Sequence, residues 1–141
     1  MRYFYDAAVV IVSTLILYYS MRIMDIFFNT VTSSLLLNVD FIRDYQSVTF
    51  FEEMAYHTIV SMIVYIILLN INCRLNQFYR FSIIFSVIIF GALYFVLTLA
   101  AEREIFIINS AGFIVWITGH CIYLVFVHYA VIWRNRFSDR N

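Results

Sequence analysis

Asn70–Arg80, with the sequence N-I-N-C-R-L-N-Q-F-Y-R, is a short polar stretch between two long apolar ones. Residues 54–73 before it and 81–101 after it contain no Asp, Glu, Lys or Arg. Each run has about 20 residues, and a helix of that length spans roughly 30 Å, the thickness of the hydrocarbon core of a bilayer. The stretch therefore predicts the tight end of a transmembrane helical hairpin.

The composition of the whole chain indicates that its solvent is lipid. Of 141 residues, 64% are hydrophobic and 13% are charged, whereas a soluble domain has about 45–50% and about 25%. A soluble fold of this size cannot hide so much apolar surface. We therefore predict a single all-α membrane domain over residues 1–141. The formal net charge of zero gives no reason to expect nucleic acid as a partner.

Four charge-poor runs predict four transmembrane helices, at approximately residues 5–24, 54–72, 81–101 and 107–130. Between the first two spans lies a long segment, residues 26–53, which is acidic and rich in aromatic residues. We predict that this segment is external. Three structures remain open for it: an extension of the first helix, a helix on the membrane surface, or a docking loop. Arg22 and Asp25, three residues apart, are expected to pair.

The distribution of arginine predicts the orientation. All nine basic residues are arginines. In the four-span arrangement, six of them share one side of the membrane with two acidic residues, and three share the other side with seven. Arginine-rich loops stay in the cytoplasm, so we predict that both termini are cytoplasmic and that the membrane is the bacterial inner membrane. The arginines that set this orientation are Arg74, Arg80, Arg134, Arg136 and Arg140.

His120 stands near the middle of the fourth predicted span, in the sequence W-I-T-G-H-C. An ionisable side chain at this depth is costly and usually faces the interior of a helix bundle. It could carry protons or line a pore. The commoner situation is a neutral imidazole hydrogen-bonded to a neighbouring helix. Haem ligation is disfavoured, because His128 lies on the same helix and cannot approach the iron from the opposite side.

A second polar group lies at the predicted outer end of the second span. Glu53 and His57 are four residues apart on one helical face, and three more carboxylates are close in sequence: Asp40, Asp44 and Glu52. Together they could attract a cation, although an ordinary acidic rim at a helix start explains them better. The further ligands that zinc requires are missing, so we predict no metal site.

Small residues predict where helices approach closely. Gly112 and Gly119 are seven residues apart in the fourth span, and Gly91 lies in the third. Such residues let helix backbones come together, so we expect the fourth span to pack on the third or on a copy of itself. The sequence contains no nucleophile elbow and no glycine-rich phosphate loop. We therefore predict no catalytic residues, no cofactor and no enzymatic activity.

In size and plan the chain resembles the small four-span accessory, immunity and phage-defence membrane proteins of bacteria, a likeness of architecture and not of motif. The predicted function is that of a non-enzymatic subunit of a membrane complex. It would pack its helices in a homo-oligomer or against a partner protein, surrounded by membrane lipids. The alternative is an oligomeric channel or transporter in which His120 lines the pathway. An enzyme acting on a lipid or quinone is weaker still, because a lone histidine lacks an orienting acid.

Overall fold

The computed structural model describes residues 2–40 and 47–138, and the side chains of residues 3–40 and 47–135. Five helices follow one another in these ranges: α1 (Arg2–Phe28), α2 (Thr32–Leu36), α3 (Phe50–Arg74), α4 (Asn76–Ala100) and α5 (Ser110–Ser138). All except α2 are long and apolar enough to cross a membrane. This confirms the all-helical class and the presence of four helices long and apolar enough to span a membrane, and is consistent with an integral membrane protein.

The ends of the helices differ from the predicted spans because caps, and not hydrophobicity, decide where a helix begins. α3 starts four residues before the predicted residue 54. There the Thr49 hydroxyl accepts from the N–H of Glu52 (3.4 Å), and the Glu52 carboxylate accepts from the N–H of Thr49 (2.8 Å). α5 starts three residues after the predicted residue 107, where Asn109 Oδ1 accepts from the N–H of Gly112 (2.6 Å).

The polar stretch Asn70–Arg80 belongs almost entirely to helices. α3 continues through Arg74 and α4 starts at Asn76, so Leu75 alone separates them. The N–H of Leu75 still donates to the carbonyl of Ile71 (2.8 Å). The helical hairpin is therefore present, and the polar residues form the adjoining ends of its two helices. Polar side chains do not stop a helix, since the backbone hydrogen bonds remain satisfied beyond the apolar run.

α1 and α5 form the central pair of the bundle. A Cβ atom built on Gly119 of α5 would lie 2.7 Å from Cγ of Met21, so the Met21 side chain of α1 packs directly on the α5 backbone at this point. Met21 and Leu17 of α1 are fully buried. Near the start of α1, the Tyr5 hydroxyl donates to the carbonyl of Ala130 (3.0 Å). α3 and α4 pack on this pair from outside and expose most of their surface.

Two polar layers bound the apolar part of the bundle. In the first, Asp6 accepts from Arg134 Nε (3.1 Å) and from the Tyr65 hydroxyl (2.7 Å). The second contains Asp25 and Arg103, at the opposite ends of the helices. From Asp6 to Asp25 α1 rises about 28 Å, close to the hydrocarbon thickness of a bilayer. The fold thus has one apolar slab of the depth that a membrane requires.

The chain turns inward after α1. Asn29 takes a left-handed backbone conformation (φ 50°), which an asparagine tolerates better than most residues. The short α2 follows, and most of residues 32–40 are buried. Of the three structures left open for residues 26–53, the described part is thus a brief extension of α1 followed by a segment that folds onto the bundle. Its side of the membrane remains a prediction.

Asp25 holds this inward segment in place. Its Oδ2 accepts from both the N–H (2.8 Å) and the hydroxyl (2.6 Å) of Ser33, and its Oδ1 accepts from the N–H (2.9 Å) and the hydroxyl (2.7 Å) of Thr32. Asp25 is buried, whereas Arg22 is exposed. The pairing of Arg22 with Asp25 that sequence spacing suggested is replaced by bonds to the start of α2.

Candidate functional site

A cavity of about 320 Å³ lies inside the bundle, bounded by all four long helices and by the segment after α2. Its walls are mostly aliphatic and aromatic; examples are Leu17, Leu36, Val64, Phe90, Leu93 and Trp116. Cavities of this kind between bundle helices are typical binding sites, with a few polar groups that fix the orientation of the ligand. Here the polar groups are Asn38, Glu53, His57, Ser61 and His120.

α3 contributes three polar residues to the cavity, because the helical repeat places them on one face of the helix. Glu53, His57 and Ser61 are spaced by four residues, so they lie on one face of the helix and all line the cavity. On the same helix Tyr56 and Val60 also line it, yet their side chains are 39% and 50% exposed. The cavity therefore opens through the surface of the bundle at this part of α3.

His120 lies inside the bundle, as its depth in the span predicted. Its ring is 4% exposed and contacts the rings of Phe90 and Trp116, with centroids 4.4 Å and 4.6 Å away. Nδ1 is 2.8 Å from the carbonyl of Trp116, so its hydrogen-bond partner is on its own helix and not on a neighbouring one. Because a carbonyl oxygen can only accept, Nδ1 carries hydrogen, and Nε2 of the neutral ring is an acceptor.

His57 lies in the same cavity as His120, which the sequence did not indicate. Nε2 of His57 is buried and has no hydrogen-bond partner, and the same is true of Nδ2 of Asn38 in the described structure. Both residues line the cavity. A buried polar group left unpaired costs about 1–3 kcal/mol. Two unpaired polar groups on residues that line one cavity indicate a place where a ligand can supply the missing bonds.

Two aromatic residues of the cavity wall, Trp116 and Tyr123, are held in place by hydrogen bonds across the bundle. Nε1 of Trp116 donates to the carbonyl of Phe90 on α4 (2.8 Å), and the Tyr123 hydroxyl donates to the carbonyl of Ser61 on α3 (3.3 Å). These bonds satisfy the polar ends of large side chains whose rings are otherwise buried. They fix α3, α4 and α5 around the cavity.

The predicted acidic cluster is divided among three roles. Nε and Nη2 of Arg103 donate to the two carboxylate oxygens of Asp40 (both 2.9 Å), and Nη2 also donates to Glu53 (3.2 Å). Glu52 caps α3, and His57 faces the cavity. Asp44 lies outside the described residues. The Arg103 guanidinium thus lies between Asp40 and Glu53, where the sequence would have allowed a bound cation.

Arg103 connects the ion pair with the cavity. Nη2 also donates to Oδ1 of Asn38 (3.0 Å), and the guanidinium lies 5.3 Å from the centre of the Phe106 ring. The hydrogen bond to Asp40 raises the pKa of Arg103 above its ordinary value. The guanidinium therefore stays charged and holds both Asn38 and Glu53 at the cavity wall. In the described part of the chain, no group of three or more His, Cys, Asp and Glu side chains is placed to hold a metal ion.

The three glycines serve contacts within the chain. A Cβ atom on Gly112 would lie 2.7 Å from the Tyr94 hydroxyl of α4, and one on Gly91 would lie 3.4 Å from Ile117 of α5. Gly119 faces α1, as described above. Of the two expectations for the fourth span, the structure thus shows packing on the third span, together with packing on the first.

Of the arginines that set the predicted orientation, Arg74, Arg80 and Arg134 lie at the end of the bundle where α1 starts. Arg74 and Arg80 flank the junction of α3 and α4 and are exposed. Arg134 pairs with Asp6. Asn72 and Asn135 hydrogen-bond to each other at the same end. Arg140 and the side chain of Arg136 lie outside the described residues.

The sequence did not predict that the polar residues of this site come together at one cavity. The four-residue spacing of Glu53, His57 and Ser61 in an otherwise apolar helix was a usable signal for an inward polar face. Nothing in the sequence showed that Asn38 and Arg103, which are far apart along the chain, meet at this face.

The fold and the cavity together define an all-helical bundle that has four helices long and apolar enough to cross a membrane, and an internal pocket. Compared with protein-family models, with curated proteins and with solved structures, the chain gives no match. Its function therefore has to be argued from its own geometry.

Proposed function

We propose that this chain is a non-enzymatic component of a membrane complex that acts by packing its outer helices against other membrane helices. The observation that carries the proposal is the uneven burial of the bundle. In their most apolar stretches, 17% of α3 and 22% of α4 is buried, against 33% of α1 and 44% of α5. α3 and α4 thus leave more of their apolar residues exposed than α1 and α5 do.

The outward face of α4 has a shape suited to another helix. Phe81, Phe85, Ile88, Ala92 and Phe95 follow one another at intervals of three and four residues and are exposed. The rings of Phe81 and Phe85 stack on each other, with centroids 6.2 Å apart. Large aromatic groups on both sides of one alanine form a surface into which a partner helix can fit closely.

The location belongs to the same proposal. Arginine excess at the end that carries both termini supports a cytoplasmic position for that end, in the inner membrane of a bacterium. The plan of the molecule supports a role like that of the small accessory, immunity or phage-defence membrane proteins. The partner is either another membrane protein or a second copy of the chain.

The alternative of an oligomeric channel lined by His120 has less support. His120 faces the interior of its own bundle, so a pathway past it would run through one chain and not between copies. The glycines, which could have brought copies together, are used within the chain.

The test is the mass of the particle extracted in mild detergent from its native membrane. We expect a complex larger than the single 16.8 kDa chain, and we expect Ala92→Trp on the outward face of α4 to dissociate it. Ile11→Trp, on the exposed face of α1, is the matched control and should leave the complex intact. A protein that is extracted only as a lone monomer contradicts the proposal.

A further inference from the structure

We propose that the cavity is a binding site for a neutral amphiphile, whose head carries a hydroxyl group and whose hydrocarbon tail extends into the bilayer. This site is independent of the packing function, because it lies inside one chain and uses none of the outward face of α4. The size of the cavity, its opening and the polar residues that line it support the proposal.

The opening of the cavity selects a ligand that arrives from the membrane. Ile59 and Val60 line the cavity and are both half-exposed on the surface of α3. Glu53 bonds to Arg103 in the polar layer that bounds the apolar slab, and Ile59 and Val60 lie six and seven residues further along α3, about 9 Å and about 10 Å from that layer. An opening at such depths faces lipid, so a membrane-dissolved molecule reaches it without crossing water.

The volume sets the size of the part that enters. A cavity of about 320 Å³ holds about ten non-hydrogen atoms, at roughly 30 Å³ for each water-sized group. A head group with a short length of chain fills it. A longer tail leaves past Ile59 and Val60, at the opening, and remains in the lipid.

The polar atoms select a neutral head that both donates and accepts hydrogen bonds. Nδ2 of Asn38 is an unpaired donor, Nε2 of His57 is unpaired, and Nε2 of His120 is an acceptor. A hydroxyl group can accept from the first and donate to an imidazole nitrogen. The described cavity wall contains no arginine, so a carboxylate or phosphate head would meet the Glu53 carboxylate without a cation of its own.

A cationic head is also disfavoured. Glu53 is the one carboxylate among the described lining residues, and it already accepts from Arg103 (3.2 Å). A charged head buried here would lose its hydration without gaining a free counter-ion, which is costly.

The cavity carries its own reporter, because the chain has two tryptophans and Trp116 lines the cavity. In the full-length Trp133→Phe protein, reconstituted in lipid nanodiscs, all tryptophan fluorescence comes from Trp116. Four probes with the same ten-carbon tail, each brominated beside the head, are titrated: bromodecanol, bromodecanoate, bromodecyltrimethylammonium and bromodecane. Bromine quenches an indole that it contacts, so quenching that saturates reports occupation of the site.

We expect saturable quenching by bromodecanol, with affinity at least about tenfold higher than that of the two charged probes, because burial of an unpaired charge is costly. His57→Leu should lower the affinity for bromodecanol by roughly threefold to tenfold, which is the value of one hydrogen bond. It should leave the affinity for bromodecane unchanged. Ser61→Phe, which fills the cavity, should abolish saturation. Met62→Phe, on the exposed side of the same helix, is the matched control and should bind normally.

Two results would overturn the proposal. One is quenching that rises linearly with every probe and is equal in the Ser61→Phe and Met62→Phe proteins, which means that the probes reach Trp116 only as bulk lipid does. The other is a charged probe that binds as tightly as the alcohol. Circular dichroism of each variant confirms that its helices are formed before it is titrated.

Discussion

At the scale of single residues, the bundle depends on a few positions where size or charge leaves little freedom. Gly119 is one, because Met21 occupies the space that a Cβ atom would need. Arg103 is another, because the Asp40 side chain beneath it has no exposed surface. Each position gives a prediction with a control of the same residue type elsewhere in the chain.

Gly119→Ala should lower the free energy of unfolding by about 1–3 kcal/mol, the usual cost of overpacking a tight contact. Gly91→Ala should be neutral or slightly stabilising, since its new Cβ would lie at an ordinary 3.4 Å from Ile117 and alanine favours helix. The measurement is unfolding in mixed detergent micelles. In a double-mutant cycle, Gly119→Ala should cost less in the Met21→Ala protein than in the unchanged protein. Equal stability of the two glycine variants would show that Met21 does not pack tightly on Gly119.

Arg103→Met should destabilise the protein by about 3–5 kcal/mol, because it leaves the buried carboxylate of Asp40 without its partner. Arg74→Met, at the exposed junction of α3 and α4, should change stability by less than about 0.5 kcal/mol. Replacing both members of the pair, in Arg103→Met with Asp40→Leu, should recover much of the loss. Equal free energies of unfolding for the Arg103→Met and Arg74→Met proteins would show that the Arg103–Asp40 ion pair does not stabilise the fold.

At the scale of elements, α2 shows how a tertiary contact creates local structure. Its five residues are too few to be stable alone. The carboxylate of Asp25 accepts both backbone N–H groups at its start, from Thr32 and Ser33, and thereby favours the helical conformation. The segment after α2 then supplies Asn38 to the cavity.

Asp25→Asn should loosen this segment, because an amide can accept at only one of its two polar atoms. We expect faster amide hydrogen exchange over residues 31–40, with no change in the middle of α1. Arg22→Gln, one turn earlier on an exposed position, is the control. Unchanged exchange in the Asp25→Asn protein would mean that packing of Leu35 and Leu36 holds the segment by itself.

The long helices were predictable, and the elements that depend on distant residues were not. Apolar runs of bilayer length identified α1, α3, α4 and α5, because lipid demands an unbroken helix of that length. α2 could not be identified, since the acid that holds it lies outside it, on α1. The helical nature of residues 70–80 was missed because polarity there marks the edge of the membrane and not the end of a helix.

At the scale of the whole molecule, the structure is a helical bundle with an internal cavity, in which α3 and α4 are more exposed than α1 and α5. The positions of His57 and His120 along their helices were readable from the sequence. That both face one cavity was not, because helical periodicity fixes which residues share a face but not which faces meet. The cavity and the outward face of α4 are separate surfaces, and each can therefore be disabled without the other.

The central claim is that the chain crosses the membrane four times with its arginine-rich end in the cytoplasm. It is tested by labelling single cysteines, in a Cys73→Ser and Cys121→Ser background, with a membrane-impermeant maleimide in intact cells. Asn76→Cys is at the first residue of α4, next to its junction with α3, and Ser47→Cys lies just before α3. We predict that Ser47→Cys is labelled from outside, whereas Asn76→Cys is labelled only after the cells are opened. Labelling of Asn76→Cys in intact cells would contradict the account.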